Sequence, residues 1–249
     1  MAAASMNRLR QTGAKQLFII PFLFTFANAL CGFLSVINSL DEHYSRAALF
    51  ILLAAVMDIF DGRIARALNT TSFIGMELDS LADAISFCCA PAILLYSWQL
   101  YQLPHLSMLV LGLYLCCGLF RLARFNAMHT SSPSYFVGLP TTISALFLAT
   151  LVLYHPWLSA HSFGFLLTPG RLAFLVAVSA LLMISSIHFP SYKTQSLQRY
   201  HIALLALAAI TIALGHWYGQ PLMLVAAGVY IVGGFCFGIF KEILRWVCS

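Results

Sequence analysis

The sequence predicts an all-α, polytopic membrane helix bundle of about eight transmembrane helices, with both termini on the cytoplasmic side. Three observations carry that prediction. The first is composition. Of 249 residues, 61% are hydrophobic and 8% are charged, whereas a soluble domain is roughly 25% charged. A surface so poor in charge suits the bilayer better than water. The second is the length of the apolar runs, and the third is the placement of Lys and Arg between them.

Eight apolar segments have the length, or nearly the length, to cross about 30 Å of hydrocarbon at ~1.5 Å per residue. They are Leu17–Ser39, Ala47–Ala67, Leu78–Leu100, Leu106–Phe125, Val137–Leu153, Leu172–Phe189, His201–His216 and Leu222–Phe240. Backbone polar groups in lipid must be satisfied within the segment, so each is expected to be a helix. Strict two-residue alternation is absent, which argues against a barrel. Arg8, Arg10 and Lys15 precede the first run in the manner of a signal peptide. That run is too long for a signal core and no A-x-A-like site follows it, so it is read as a retained span.

With the N-terminus in the cytoplasm, eleven of the thirteen basic residues fall on the cytoplasmic side: Arg8, Arg10, Lys15, Arg63, Arg66, Arg121, Arg124, Lys193, Arg199, Lys241 and Arg245. Only Arg46 and Arg171 fall on the far side. The positive-inside rule demands such an asymmetry, and a missed span would scramble it downstream. No linker, repeat or low-complexity stretch divides the chain, so residues 1–249 are expected to form one membrane domain. There is no basic run to engage nucleic acid. The seven cysteines lack metal-ligand spacing, and all but Cys248 sit in apolar runs. They read as small packing residues.

The acidic residues are distributed unevenly. Five of the eight lie between positions 58 and 83: Asp58, Asp61, Glu77, Asp79 and Asp83. Carboxylates at membrane depth are costly and mark a functional site. Asp58 and Asp61 are three apart and share a face of the second span. Asp79 and Asp83 share a face of the third with Gly75. The two spans run in opposite directions about a short cytoplasmic turn, so these faces can meet. Glu77 points away by roughly 160° at about 100° per residue. Converging carboxylates require cations between them, and an all-oxygen ligand set suits Mg²⁺, Mn²⁺ or Ca²⁺ rather than Zn²⁺. A pair of such ions can clamp a diphosphate. Gly62 and Gly75 let a bulky ligand approach the backbone, Ala65 keeps the wall small, and Arg66 offers a fork-shaped donor for phosphate.

The run Asp58-Ile-Phe-Asp61-Gly62-Arg-Ile-Ala65-Arg66, then eight residues, then Gly75-x3-Asp79-x3-Asp83 resembles the signature of the CDP-alcohol phosphatidyltransferases. All eight signature positions are present with the right gaps. Weaker matches resemble the membrane-integral phosphatidylserine synthases of that family. They are Pro21-x3-Thr25-x2-Asn28-x3-Gly32, Arg121-Leu-Ala-Arg124-Phe-Asn126, Phe136-Val-Gly138-Leu-Pro140 and Met183 to Lys193. Residue 188 departs from the pattern: it is His where Arg or another polar residue is expected.

The resemblance implies a six-helix catalytic core over 17–189 with two further C-terminal helices over 201–240. It implies attack by an alcohol on the β-phosphate of CDP-diacylglycerol, with CMP leaving, L-serine as the alcohol, and a homodimer in the cell membrane. Asp58, Asp61 and Asp79 would hold the metal ions with Asp83 sharing, and Asp83 would be the general base. Arg121 and Arg124, three apart at a cytoplasmic end, either receive the serine carboxylate or anchor the helix at the interface. Asn126 is open in the same way. Thr25 and Asn28 face the nucleotide and diphosphate, or make helix-packing hydrogen bonds. A transferase for another alcohol and a cation or proton transporter are the competing readings. The inverted repeats and broken helices frequent in transporters are not evident.

Overall fold

A computed structural model describes residues 2–68, 72–127, 135–161, 164–185 and 188–190. The seventh and eighth apolar segments lie outside the described residues. The described chain is helical throughout apart from two three-residue strands. The helices are α1 (Ala2–Leu40), α2 (Tyr44–Ala67), α3 (Phe73–Asp83), α4 (Ala90–Trp98), α5 (Pro104–Ala127), α6 (Thr141–Leu153), α7 (His155–Ala160) and α8 (Pro169–Ile184). Strands β1 (Tyr135–Val137) and β2 (His188–Pro190) pair antiparallel.

Among the described residues, three helices are long and apolar enough to cross a membrane: Pro21–Leu40, Phe73–Trp98 and Pro104–Ala127. Thr141–Leu153 and Pro169–Ile184 are apolar but shorter. The expected fifth and sixth segments are thus trimmed. Val137 belongs to β1 and Phe189 to β2. The breaks are chemical: Gly138 takes φ +80°, a left-handed conformation natural to glycine, and Pro140 caps α6. Helix α2 is 24 residues long but carries Arg46, Asp58, Asp61, Arg63 and Arg66. Its polarity sets it apart from the three long apolar helices.

Helix α1 presents two opposite stripes. Thr25, Asn28, Cys31, Ser35 and Ser39 are buried. Leu23, Phe26, Leu30, Phe33, Ile37 and Leu40 are exposed, the face that suits lipid. The buried stripe is small and polar, so neighbouring backbones can approach closely. Helix α2 answers with Ala47, Ala48, Ile51, Ala54 and Ala55, all buried. The two helices form an antiparallel hairpin closed by Asp41–His43, where Glu42 sits at φ 62° and His43 N donates to Asn38 O at 2.8 Å. Tyr44 Oη donates to Ser97 O at 2.9 Å, fastening the far end of α2 to α4.

Helices α3 and α4 are continuous over 26 residues but are joined by a widened π-helical turn, Ala84–Cys89. The N–H of Ala90 donates to Ile85 O, a five-residue step. The sequence explains the widening. Pro91 has no N–H, and in a regular helix its ring would collide with the carbonyl four residues back, Phe87 O. Both neighbours press on this turn. A Cβ on Gly32 of α1 would lie 2.7 Å from Ser86 Cα, and one on Gly118 of α5 would lie 2.6 Å from Cys88 Sγ. Among the described cysteines Cys31, Cys88 and Cys117 are buried as expected for packing residues, Cys89 is half-buried, and Cys116 is exposed.

The Gly32 contact includes backbone, Ser86 Cα, which cannot swing aside as the Ser86 hydroxyl could. Gly32→Ala should therefore overpack the α1 contact by about 1–3 kcal/mol. The expected outcome is a lower melting temperature of the detergent-purified protein in thermal unfolding, with Gly112→Ala, whose Cβ meets nothing within 4 Å, as the neutral comparison.

Candidate metal centre

The end of α2 and the beginning of α3 bring three carboxylates together. Oxygens of Asp58, Asp61 and Asp79 lie within 4.8 Å of one another. Asp61 is 4% exposed, and the other two are half-buried. The local reasons are visible. Ser72 caps α3, its hydroxyl accepting from Gly75 N at 3.1 Å. The cap starts the helix so that Asp79 lies one turn beyond Gly75 and Asp83 one turn beyond Asp79. Phe24 of α1 rests on Phe60 of α2, ring centroids 5.9 Å apart, which seats the end of α2 beside α1.

Three carboxylates at this separation repel. Two unit charges about 4 Å apart interact by roughly 4 kcal/mol in a partly screened protein environment. Asp61 Oδ2 is buried and has no hydrogen-bond partner among the described residues. An acceptor stranded in this way costs about 1–3 kcal/mol or more. The donor set is oxygen only. These observations fit a hard divalent cation held by Asp58, Asp61 and Asp79.

Asp83 stands apart from that triad. It is buried at the end of α3, where its Oδ1 accepts from Asn28 Nδ2 at 3.1 Å. Asn28 is fully buried, and its backbone oxygen accepts from Ser86 Oγ at 2.9 Å. One residue of α1 therefore holds both Asp83 and the turn that follows it. Thr25, one helical turn earlier on the same face, donates to Pro21 O at 3.2 Å. Of these two α1 residues, Asn28 bonds an aspartate directly.

Gly62 and Ala65 are half-buried on α2. Arg66 is on the same helix, but its side chain lies outside what the structure describes. Gly75 packs against its own cap and against α1. A Cβ there would lie 3.1 Å from Ser72 Oγ and 3.9 Å from Phe22 Cε1.

The basic residues of α5 have unequal surroundings. Arg121 is buried, with Nη1 donating to Thr141 Oγ1 at 3.2 Å and the guanidinium over the Phe125 ring at 5.6 Å. Arg124 donates through Nη1 to Ile184 O and through Nη2 to Met183 O, both at 3.2 Å. It caps the C-terminus of α8, a favourable place for a cation. Gly138 fits beneath this cap, because a Cβ there would collide with Met183 O and lie 2.7 Å from Arg124 Nη2. Asn126 Nδ2 donates to Ser80 Oγ at 2.9 Å, tying the end of α5 to the residue after Asp79.

Sequence reasoning did not reach Thr141 and Ser80, the partners of Arg121 and Asn126. Thr141 was marked only by its place after the Gly138-Leu-Pro140 break, and Ser80 by adjacency to Asp79.

Fold and site together define an apolar helix bundle with three candidate membrane spans and an acidic centre shared by α2 and α3. The chain belongs to the CDP-alcohol phosphatidyltransferase family, whose model matches residues 18–181. It is 30% identical over 234 residues to the CDP-diacylglycerol–serine O-phosphatidyltransferase of Helicobacter pylori strain J99, covering 93% of this chain and 92% of that one. It is 36% identical over 174 residues to the protein of the same name from Bacillus subtilis strain 168, covering 70% and 91%. An archaetidylserine synthase of Methanothermobacter thermautotrophicus is 35% identical over 175 residues, 69% of each chain.

The triad makes a direct prediction. Mn²⁺ should raise the melting temperature of the purified protein, since a ligand of the folded state stabilises it by mass action. Asp61→Asn should shift the half-saturating Mn²⁺ concentration upward by at least roughly tenfold, because even an outer partner of a ligand is worth that much. An unchanged midpoint in the variant would remove Asp61 from the metal site.

Proposed function

We propose that this protein transfers the phosphatidyl group of CDP-diacylglycerol to the hydroxyl of L-serine, releasing CMP, in a reaction that depends on a divalent cation. The observation that carries the reading is the Asp58–Asp61–Asp79 cluster, packed beside a separate Asp83, in a chain similar along most of its length to proteins named for that reaction.

Asp58, Asp61 and Asp79 would hold the metal, a pair of Mg²⁺ or Mn²⁺ ions with Asp83 sharing. Bound there, the metal would offset the charge of the diphosphate and of the leaving phosphate. Thr25 and Asn28 line the same side of the aspartates, Gly62, Ala65 and Gly75 keep the wall low for the nucleotide, and Arg66 offers its fork to the diphosphate. Asp83 takes the proton of the serine hydroxyl as its oxygen attacks the β-phosphorus. The bond from that phosphorus to the oxygen of CMP breaks, and CMP leaves as the anion. Asn28 fixes one oxygen of Asp83 and leaves the other to face the acceptor, the reach that a base needs.

Arg121 is the receptor for the serine carboxylate, with Arg124 and Asn126 completing that wall. Arg124 already gives two N–H groups to α8 carbonyls, so its part is to hold the wall in place. The topology that suits this chemistry is eight spans with both termini and the aspartates toward the cytoplasm, where CMP and serine are exchanged, and a homodimer as the working form. The Lys and Arg asymmetry supports that orientation.

The test is CMP release from CDP-diacylglycerol by the purified protein, with Mg²⁺ or Mn²⁺, over a panel of alcohols that includes L-serine. Release that needs both metal and serine, with phosphatidylserine as product, is expected. Release with a different alcohol only would overturn serine, and no release with any alcohol would revive the transporter reading. Asp83→Asn should abolish turnover while CDP-diacylglycerol still binds; near-normal turnover in that variant would end its assignment as base. Arg121→Lys should raise KM for serine by roughly tenfold, the loss of one charge-assisted hydrogen bond of about 1.5 kcal/mol, and leave KM for CDP-diacylglycerol unmoved.

A further inference from the structure

Tyr114 has no part in the chemistry above, yet its side chain is fully buried. Its hydroxyl donates to Phe87 O at 3.0 Å. Phe87 O is the carbonyl that a regular helix would pair with the N–H of residue 91, and residue 91 is proline. The hydrogen bond that Pro91 cannot make is therefore supplied from α5, across the helix interface. A buried carbonyl left without a donor is costly, and a helix interrupted by proline is free to bend where nothing replaces the lost bond.

The turn so stabilised is the π-helical segment Ala84–Cys89, which begins at the residue after Asp83. π-turns within helices are frequent at functional sites. This one is held from two sides. Ser86 Oγ donates to Asn28 O at 2.9 Å on the α1 side, and Tyr114 donates to the next residue, Phe87, on the α5 side. Asn28 in turn donates to Asp83. The chain Tyr114, Phe87 O, Ser86, Asn28, Asp83 is continuous in hydrogen bonds and adjacent backbone.

We infer that Tyr114 is a positioning residue for the transfer reaction: it substitutes for the backbone donor missing at Pro91 and thereby fixes the π-turn that presents Asp83 to the acceptor hydroxyl. The inference rests on the reading of Asp83 as base. Tyr114 touches neither metal ligands nor substrate, so its effect falls on the rate of transfer and not on binding. A small misplacement of a reacting group is enough to cost a large factor in rate.

The experiment is Tyr114→Phe in the full-length protein, with turnover measured per CDP-diacylglycerol-binding site so that misfolded protein is not counted. The expected result is a fall in kcat of roughly tenfold with KM for serine and for CDP-diacylglycerol unchanged. The second arm repeats the substitution in a Pro91→Ala background, where residue 91 regains an N–H for Phe87 O. There Tyr114→Phe should cost no more than about twofold, the coupling expected of two groups that serve one acceptor. Unchanged kcat per site in the single variant would overturn the inference, as would an equal loss in both backgrounds. Asp83→Asn, run in parallel, separates the two claims. If it stays active, the base assignment fails; if it is inactive while Tyr114→Phe is normal, only the role of Tyr114 fails.

Discussion

The constraint on which the rest of this bundle depends is the difficulty of keeping three carboxylates close together among apolar helices. Desolvation and mutual repulsion both oppose the arrangement. The protein meets them with a narrow set of devices. Small residues on α1 and α2 let the helices close around the site, so that Asp58 and Asp61 reach Asp79 across a short gap. Asn28, buried in the small, polar stripe of α1, gives Asp83 a hydrogen bond. What protein atoms leave unmet, such as the buried Oδ2 of Asp61, is what a cation would meet. The centre thus joins two helices as well as two chemical roles. α2 contributes only to the triad, whereas α3 contributes both to the triad and to the separate Asp83.

That separation depends on how α3 continues. A regular helix past Asp83 would drive the ring of Pro91 into Phe87 O, and the chain resolves the conflict by widening one turn. The widened turn then becomes the surface on which α1 and α5 converge, each at a glycine whose Cβ would collide, Gly32 against Ser86 and Gly118 against Cys88. A proline that looks like a defect in an apolar run is in this way the origin of a closely packed turn beside Asp83. A second junction is built differently. Arg124 caps α8, and Gly138 adopts a left-handed turn beneath it, so the junction of α5 and α8 is held by backbone carbonyls and a guanidinium.

Much of this was legible in the sequence because it lies in local spacing. The helical character of the described segments followed from apolar run length, and the meeting of Asp58 and Asp61 with Asp79 followed from helical spacing, whereas Asp83, expected to converge with them, stands apart from the triad. The family followed from the same spacing. What could not be read were relations that depend on which helices become neighbours. Nothing near Asn28 in the chain foretells a bond to Asp83, 55 positions away, and nothing near Arg124 foretells carbonyls 59 and 60 positions on. The ends of the fifth and sixth segments were misplaced for another reason. Hydrophobic counting sees Val137 and Phe189 as apolar, while glycine and proline chemistry and strand pairing decide their backbone.

The polarity of α2 bears on biogenesis. Two carboxylates and three guanidinium groups along one helix make it the poorest of the long helices at partitioning into lipid by itself, since each charge near the middle of a span opposes insertion. The three-residue turn at Asp41–His43 ties it to α1, whose inner stripe is polar and whose outer stripe is apolar. The hairpin of α1 and α2 is therefore better matched to an apolar surrounding than α2 by itself. In chain order α2, the most charged of the long helices, directly follows α1, whose polar stripe packs on it.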